Sequence, residues 1–188
     1  LEFDYGLARV REIGVRLGPS HRQGPPAVTG IRLRDEWHRP SKRFWNSFFR
    51  RFHATENIFR YFTHAEVFQR ISAKAADESF RYCIERRAGG RSKLLAVSNP
   101  DRPVICHQQL EGLAKRYDAC NVNYEDGVVT SQHVPRTGDH PITIGTDEFR
   151  QRFVLETSID GYGSPRIFLS LLRAVCSNGM IGYAPAFR

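Results

Sequence analysis

The stretch PSKRFWNSFFRRFH, residues 40–53, holds five aromatic side chains, and their spacing constrains the fold more than any other feature. Phe44, Trp45, Phe48, Phe49 and Phe52 fall at i, i+1, i+4, i+5 and i+8. At about 100° per residue they make one wide apolar stripe on a helix. Ser41 stands just before it and can cap the helix by accepting a free backbone N–H. Five large rings on one face must be covered, either by a protein core or by a membrane surface. A chain of 188 residues is long enough to bury a sizeable core without disulfide staples, so core packing comes first. No apolar run approaches a membrane span, and no membrane partner is expected.

The back of that helix is basic. Residues 1–60 carry 12 Lys and Arg against 6 Asp and Glu, while residues 61–188 carry 16 against 14. Most of the net charge of +8 therefore lies in the N-terminal third. Such a bias suggests a polyanionic partner, most often nucleic acid. Trp37, Arg39, Lys42, Arg43, Arg50 and Arg51 form the best-placed basic cluster, with an aromatic at its edge that could stack a base. The alternative is a solvated basic face that only aids solubility.

Along the chain, residues 1–30 are poorly patterned and GPSHRQGPP reads as a linker. The opening segment is a tail or a short strand docked elsewhere. Thr63 and Glu66 have capping-box spacing ahead of a second helix bearing Phe68, Ile71 and Ala75 on one face. SFRYCIERR and KLLAVSN flank AGG, a hairpin pattern. HQQLEGLAKRY reads as a short helix, and CNVNYEDGVVTSQHV as a hairpin turning at Asp126-Gly127. FRQRFVLETSI alternates as a strand, and DGYGSP turns the chain. RIFLSLLRAVC fits a helix and a buried strand nearly equally. The expected fold class is α+β, with N-terminal amphipathic helices followed by a mostly antiparallel sheet with interspersed helices. Residues 1–30 are expected as a tail or linker and residues 31–188 as one domain. The start at Leu1 and the stop after MIGYAPAF suggest a partial chain, lacking a downstream element.

Catalytic and metal signatures are sparse. Cys106-His107, His133 and His140 are the metal candidates, but the tight paired spacings of a zinc site are absent, so no metal is expected. No phosphate-binding glycine loop is present, and no cofactor is expected. Glu125-Asp126 and Asp147-Glu148 sit by turns, where solvated carboxylates are ordinary. Cys176 follows Arg173 and precedes Ser177-Asn178-Gly179, but no histidine follows it and no nucleophile elbow surrounds it. Four dispersed cysteines without a secretory pattern (Arg9 and Arg11 interrupt any apolar leader) point to free thiols in a reducing, cytoplasmic setting.

The segment IDGYGSPRIFLSLLRAVCSNGMIGYAPAFR resembles the domain-of-unknown-function family 932 of phage- and plasmid-related proteins. Its members carry an Asp-Gly turn, an apolar run, then Arg, a hydrophobic pair, Cys, any residue and Asn. Those positions here are Asp160, Gly161, Arg173, Ala174-Val175, Cys176 and Asn178. RPSKRFWNSFFRRF, NIFRYFTHAEVFQRIS and NYEDGVVTSQHVPR look like a bacterial branch of the same family, so the likeness spans residues 31–188. The resemblance supplies no activity to carry over. It implies a setting near replicating or recombining DNA. The expected function is a non-enzymatic nucleic-acid-associated protein that handles single strands. The alternatives are a protein-interaction module and an enzyme using Cys176. The sequence does not set the oligomeric state.

Overall fold

The structure, a computed structural model, describes residues 1–18, 27–90 and 92–173. Among the described residues three α-helices and eleven strands build two sheets, a mixed α+β architecture. The chain divides into two compact units. The first takes residues 1–104 and 160–162. The second takes residues 105–159 and resumes at 163.

In the first unit, β1 (Glu2–Arg9), β2 (Gly14–Leu17), β3 (Val28–Leu33) and β4 (Glu36–Pro40) precede α1 (Lys42–Arg51) and α2 (His64–Lys74). β5 (Ser79–Arg86) and β6 (Ser92–Ser98) follow as the expected hairpin. The sheet runs β1-β5-β6-β4-β3-β2, antiparallel except between β4 and β6. The chain thus opens on strands, not on helices, and its start is a docked strand rather than a tail. β1 pairs with β5 over its whole length, from Glu2 opposite Arg86 to Arg9 opposite Ser79. Its partner lies about seventy residues downstream, so local patterning carried little trace of it.

The aromatic stripe is core. Ser41 Oγ accepts from Phe44 N at 2.8 Å and donates to Leu95 O at 2.7 Å, capping α1 and tying its start to β6. Ser47 Oγ accepts from Val97 N at 2.9 Å, a second link between α1 and β6. Phe44 and Phe48 are 0 % exposed, and Phe48 packs on Phe52, Phe68 and Phe80 at centroid distances of 4.9, 5.5 and 6.3 Å. Burying one such ring contributes about 1.5–3 kcal/mol. A membrane-surface role would need that face free, so the anchor alternative fails on burial. Among the described residues no helix is long and apolar enough to cross a membrane. α2 begins with the expected capping box: Thr63 N donates to Glu66 Oε2 at 2.7 Å and Glu66 N to Thr63 Oγ1 at 3.2 Å.

The second unit holds α3 (His107–Arg116), β7 (Ala119–Glu125), β8 (Val128–His133), β9 (Pro141–Ile144), β10 (Asp147–Ser158) and β11 (Arg166–Arg173). The sheet runs β11-β10-β8-β7, and β9 also pairs with β10. β7 and β8 turn at Asp126 and Gly127, whose φ values of 43° and 86° are those of a primed hairpin turn. The ambiguous apolar run is a strand through Arg173, antiparallel to β10 from Phe149 opposite Arg173 to Glu156 opposite Arg166. Residues 174–176 lie outside the described residues.

Candidate nucleic-acid interface

Strand alternation on β4 sends His38 inward, 2 % exposed, and leaves Trp37 and Arg39 on the outer face. On β3, Ile31 and Leu33 face the core while Arg32 is exposed. The register sets Arg32 opposite Trp37 and, on β2, Arg16 opposite Gly30. Arg16, Arg32, Trp37 and Arg39 therefore share one side of the sheet. The Arg16 guanidinium lies 4.0 Å over the Trp37 ring and that of Arg32 lies 6.0 Å from it. A Cβ at Gly30 would stand 3.1 Å from Trp37 Cε3, so the bare glycine lets the indole lie close to the strand. Trp37 remains 40 % exposed. Among the described residues, none of the three arginines holds a carboxylate. On the opposite face His38 Nδ1 hydrogen-bonds Ser92 Oγ at 2.8 Å, and burial holds its pKa below the usual imidazole range.

The expected basic cluster splits. Trp37 and Arg39 join Arg16 and Arg32 on the sheet. Lys42 and Arg50 are exposed on α1, and Arg50 lines a separate cleft with Asn46, His53 and Tyr162. Arg51 donates to Ser79 O at 2.8 Å and is half-buried, its Nε without a hydrogen-bond partner. Arg43 was expected on the free basic face and is not there. Its Nε and Nη2 grip the carboxylate of Asp160, which is 0 % exposed, and its guanidinium lies 5.0 Å from the Tyr162 ring. A side chain spent on a buried counter-ion cannot also neutralise a phosphate.

Arg16 and Arg32 were not anticipated. Each sits in an apolar–Arg–apolar triplet, Val15-Arg16-Leu17 and Ile31-Arg32-Leu33. That period-2 alternation was the available signal.

The family-motif positions are placed in part. Asp160 accepts from Tyr162 N at 3.0 Å as well as from Arg43. Gly161 has φ of 74°, and a Cβ there would come within 2.7 Å of Val104 Cγ2 and 2.8 Å of Ser98 Oγ. Both conformation and space thus require glycine. Arg173 ends β11, paired with Phe149. Cys176 and Asn178 lie outside the described residues, and so does the proposed use of Cys176 as a nucleophile.

The metal candidates are dispersed. Cys106 and His107 open α3, where Cys106 N donates to Gln109 Oε1 at 2.9 Å and His107 stands 3.3 Å from Glu111. His133 bonds Ser131 Oγ and Tyr117 O, each at 2.9 Å. His140 is exposed on the loop before β9. Among the described residues no three His, Cys, Asp or Glu side chains gather as a metal site would require.

No curated protein and no solved structure matches this chain. A family model described as Domain of unknown function (DUF932) matches residues 119–184. The match contains Asp160, Gly161, Arg173, Cys176 and Asn178, but it does not extend to the stretches upstream of residue 119 that the resemblance also included. It places residues 119–184 of the chain in the DUF932 family.

Proposed function

We propose that this chain is a non-enzymatic nucleic-acid-associated protein that holds single strands on the outer face of β2–β4. The observation that carries this is the exposed Trp37 ring set among Arg16, Arg32 and Arg39, none of which is neutralised by a carboxylate among the described residues. The exposed part of the indole, with the Arg16 guanidinium lying over its ring, offers a mixed surface for an unpaired base, and the arginines meet the flanking phosphates. A duplex keeps its bases stacked on each other, so the indole favours single strands. Lys42 and Arg50, both exposed on α1, extend the positive charge beyond the sheet face. A phage- or plasmid-related setting in the cytoplasm, with no cofactor, is part of the proposal.

The test is a fluorescence-anisotropy titration with labelled single-stranded and duplex oligonucleotides of equal length at two salt concentrations. Tighter binding of the single strand, weakening as salt rises, is the expected result. No binding at low salt contradicts it.

A second reading, a protein-interaction module, is favoured by one feature of the second unit. Leu113, Tyr117, Val134, Phe153 and Ile167 line a groove of about 800 Å³, and Ile167 is 74 % exposed. That reading predicts normal folding and no oligonucleotide binding.

A further inference from the structure

A second aromatic site lies in the first unit and shares no residue with the sheet face. At the start of α2, Trp45, Phe59, Arg60, Tyr61, Phe62 and His64 line a pocket of about 520 Å³. The wall is a run of rings. Trp45 stacks on His64 at 5.2 Å between centroids, and Phe59 lies 4.6 Å from the same imidazole. Tyr61 stands at the mouth, 81 % exposed, and its ring packs on no other ring among the described residues. Trp45 and Phe59 also pack on the core, so the ring left open to a flat ligand is that of Tyr61, beside them.

The charge around the pocket selects the ligand. Arg60 is its one charged lining residue apart from any charge on His64, and among the described residues it holds no carboxylate. A cationic ligand would suit the rings but would meet Arg60, and no acidic residue lines the pocket to offset it. At the start of α2 the Glu66 carboxylate accepts from Thr63 N at 2.7 Å, which sets a negative charge against any anion arriving there. A phosphate bound here would therefore turn to Arg60. Desolvation pushes the His64 pKa below the usual imidazole range, leaving a neutral ring at pH 7. A neutral imidazole carries one donor and one acceptor, the pair needed to face the polar edge of a base. Its nitrogens have no hydrogen-bond partner among the described residues.

We infer that this pocket binds a nucleotide, with the base against Trp45, Tyr61 and His64 and the phosphate at Arg60. A pocket of this size holds one base and its sugar, which makes it a site for a single nucleotide or for one extruded base of a strand.

The chain has two tryptophans, so Trp37→Leu leaves Trp45 as the sole indole reporter and removes the aromatic ring of the sheet face. This protein is titrated with adenosine and thymidine 5′-monophosphates, the matching nucleosides, ribose 5-phosphate and choline, with circular dichroism to verify folding. Equilibrium dialysis of the unsubstituted protein with the same probes gives a readout free of any substitution. Saturable quenching by the nucleotides, with neither ribose 5-phosphate nor choline binding, is expected. Arg60→Gln should weaken the monophosphates about tenfold and leave the nucleosides unchanged. Tyr61→Ala should weaken nucleotides and nucleosides alike, by about fivefold or more. Absence of saturable binding up to about 10 mM overturns the inference, as does equal binding of ribose 5-phosphate or a preference for choline. Because the quenching titration lacks Trp37 and its probes are single nucleotides, a failure there is distinct from a failure of strand binding on the sheet.

Discussion

Arg43 on α1 and Asp160 in the Asp-Gly turn form a two-pronged ion pair across 117 positions of sequence. The carboxylate is fully buried and also accepts the Tyr162 N–H. The guanidinium side chain is 21 % exposed. Removing one partner of such a pair strands the other charge away from water, which costs about 3–5 kcal/mol. Arg43→Ala should therefore lower the free energy of unfolding by that order, read from urea denaturation. The double change to Arg43→Ala and Asp160→Ala should cost less than the two single losses added. A loss below about 1 kcal/mol for Arg43→Ala, as for an exposed arginine, would contradict the pair.

Phe48 sits at the middle of the stripe and touches rings from α1, α2 and β5. Phe48→Ala should cost about 3–5 kcal/mol, because the neighbouring rings are fixed on α1, α2 and β5 and cannot collapse into the space. Arg50→Ala, on the exposed back of the same helix, should change stability by less than about 0.5 kcal/mol. The two midpoints of chemical denaturation check both values.

Asp139, in the loop before β9, accepts from Arg152 at 2.6 Å and from Arg150 at 2.6 Å. Those two bonds, that of Arg152 first, hold its pKa down to about 2 from an ordinary value of 3.8. The folded state thus favours the carboxylate. The resulting stability is complete above the unfolded value and is lost as pH falls from about 4 to about 2. A carboxyl-carbon NMR titration should place the Asp139 midpoint near 2. A midpoint near 3.8 would show that the two arginines do not hold it. Arg152→Gln should move the midpoint up more than Arg150→Gln does.

The thiols should differ in reactivity. Cys83 is a residue of β5 with no exposure, and burial, reinforced by the Asp160 charge, pushes its thiol pKa up. Cys106 is half-buried and Cys120 is exposed. Peptide mapping after brief alkylation of the native protein should find Cys120 modified first and Cys83 last. Uniformly slow modification of all three would contradict the exposure of Cys120.

What could be read from the sequence follows from where each element finds its partners. α1, α2, α3 and the hairpin at Asp126-Gly127 are specified locally, by caps, a ring stripe and a two-residue turn, and all appear where expected. The opening segment read as either a tail or a docked strand because the partner of β1, β5, is remote and because only Ala8 along it is fully buried. β11 was undecided because an apolar run satisfies both periods, and pairing with β10 settles it in favour of strand. For the site, aromatic and basic composition led to Trp37 and Arg39 but not to the β2–β3–β4 register that adds Arg16 and Arg32. Composition also misplaced Arg43, since no local feature of residues 40–53 announces a carboxylate more than a hundred positions away.

The central claim is that the arginine–indole face of the sheet, and not the back of α1, holds the strand. Two paired variants separate these surfaces: Arg32→Gln with Arg39→Gln on the sheet, and Lys42→Gln with Arg50→Gln on the helix. The measurement is the salt dependence of single-stranded oligonucleotide affinity for each folded pair beside the parent. The sheet pair should bind more weakly and lose a slope of about 1.4, from two phosphate contacts at about 0.7 each, while the helix pair keeps most of the parent's slope. A sheet pair that retains the parent's affinity and slope would contradict the claim.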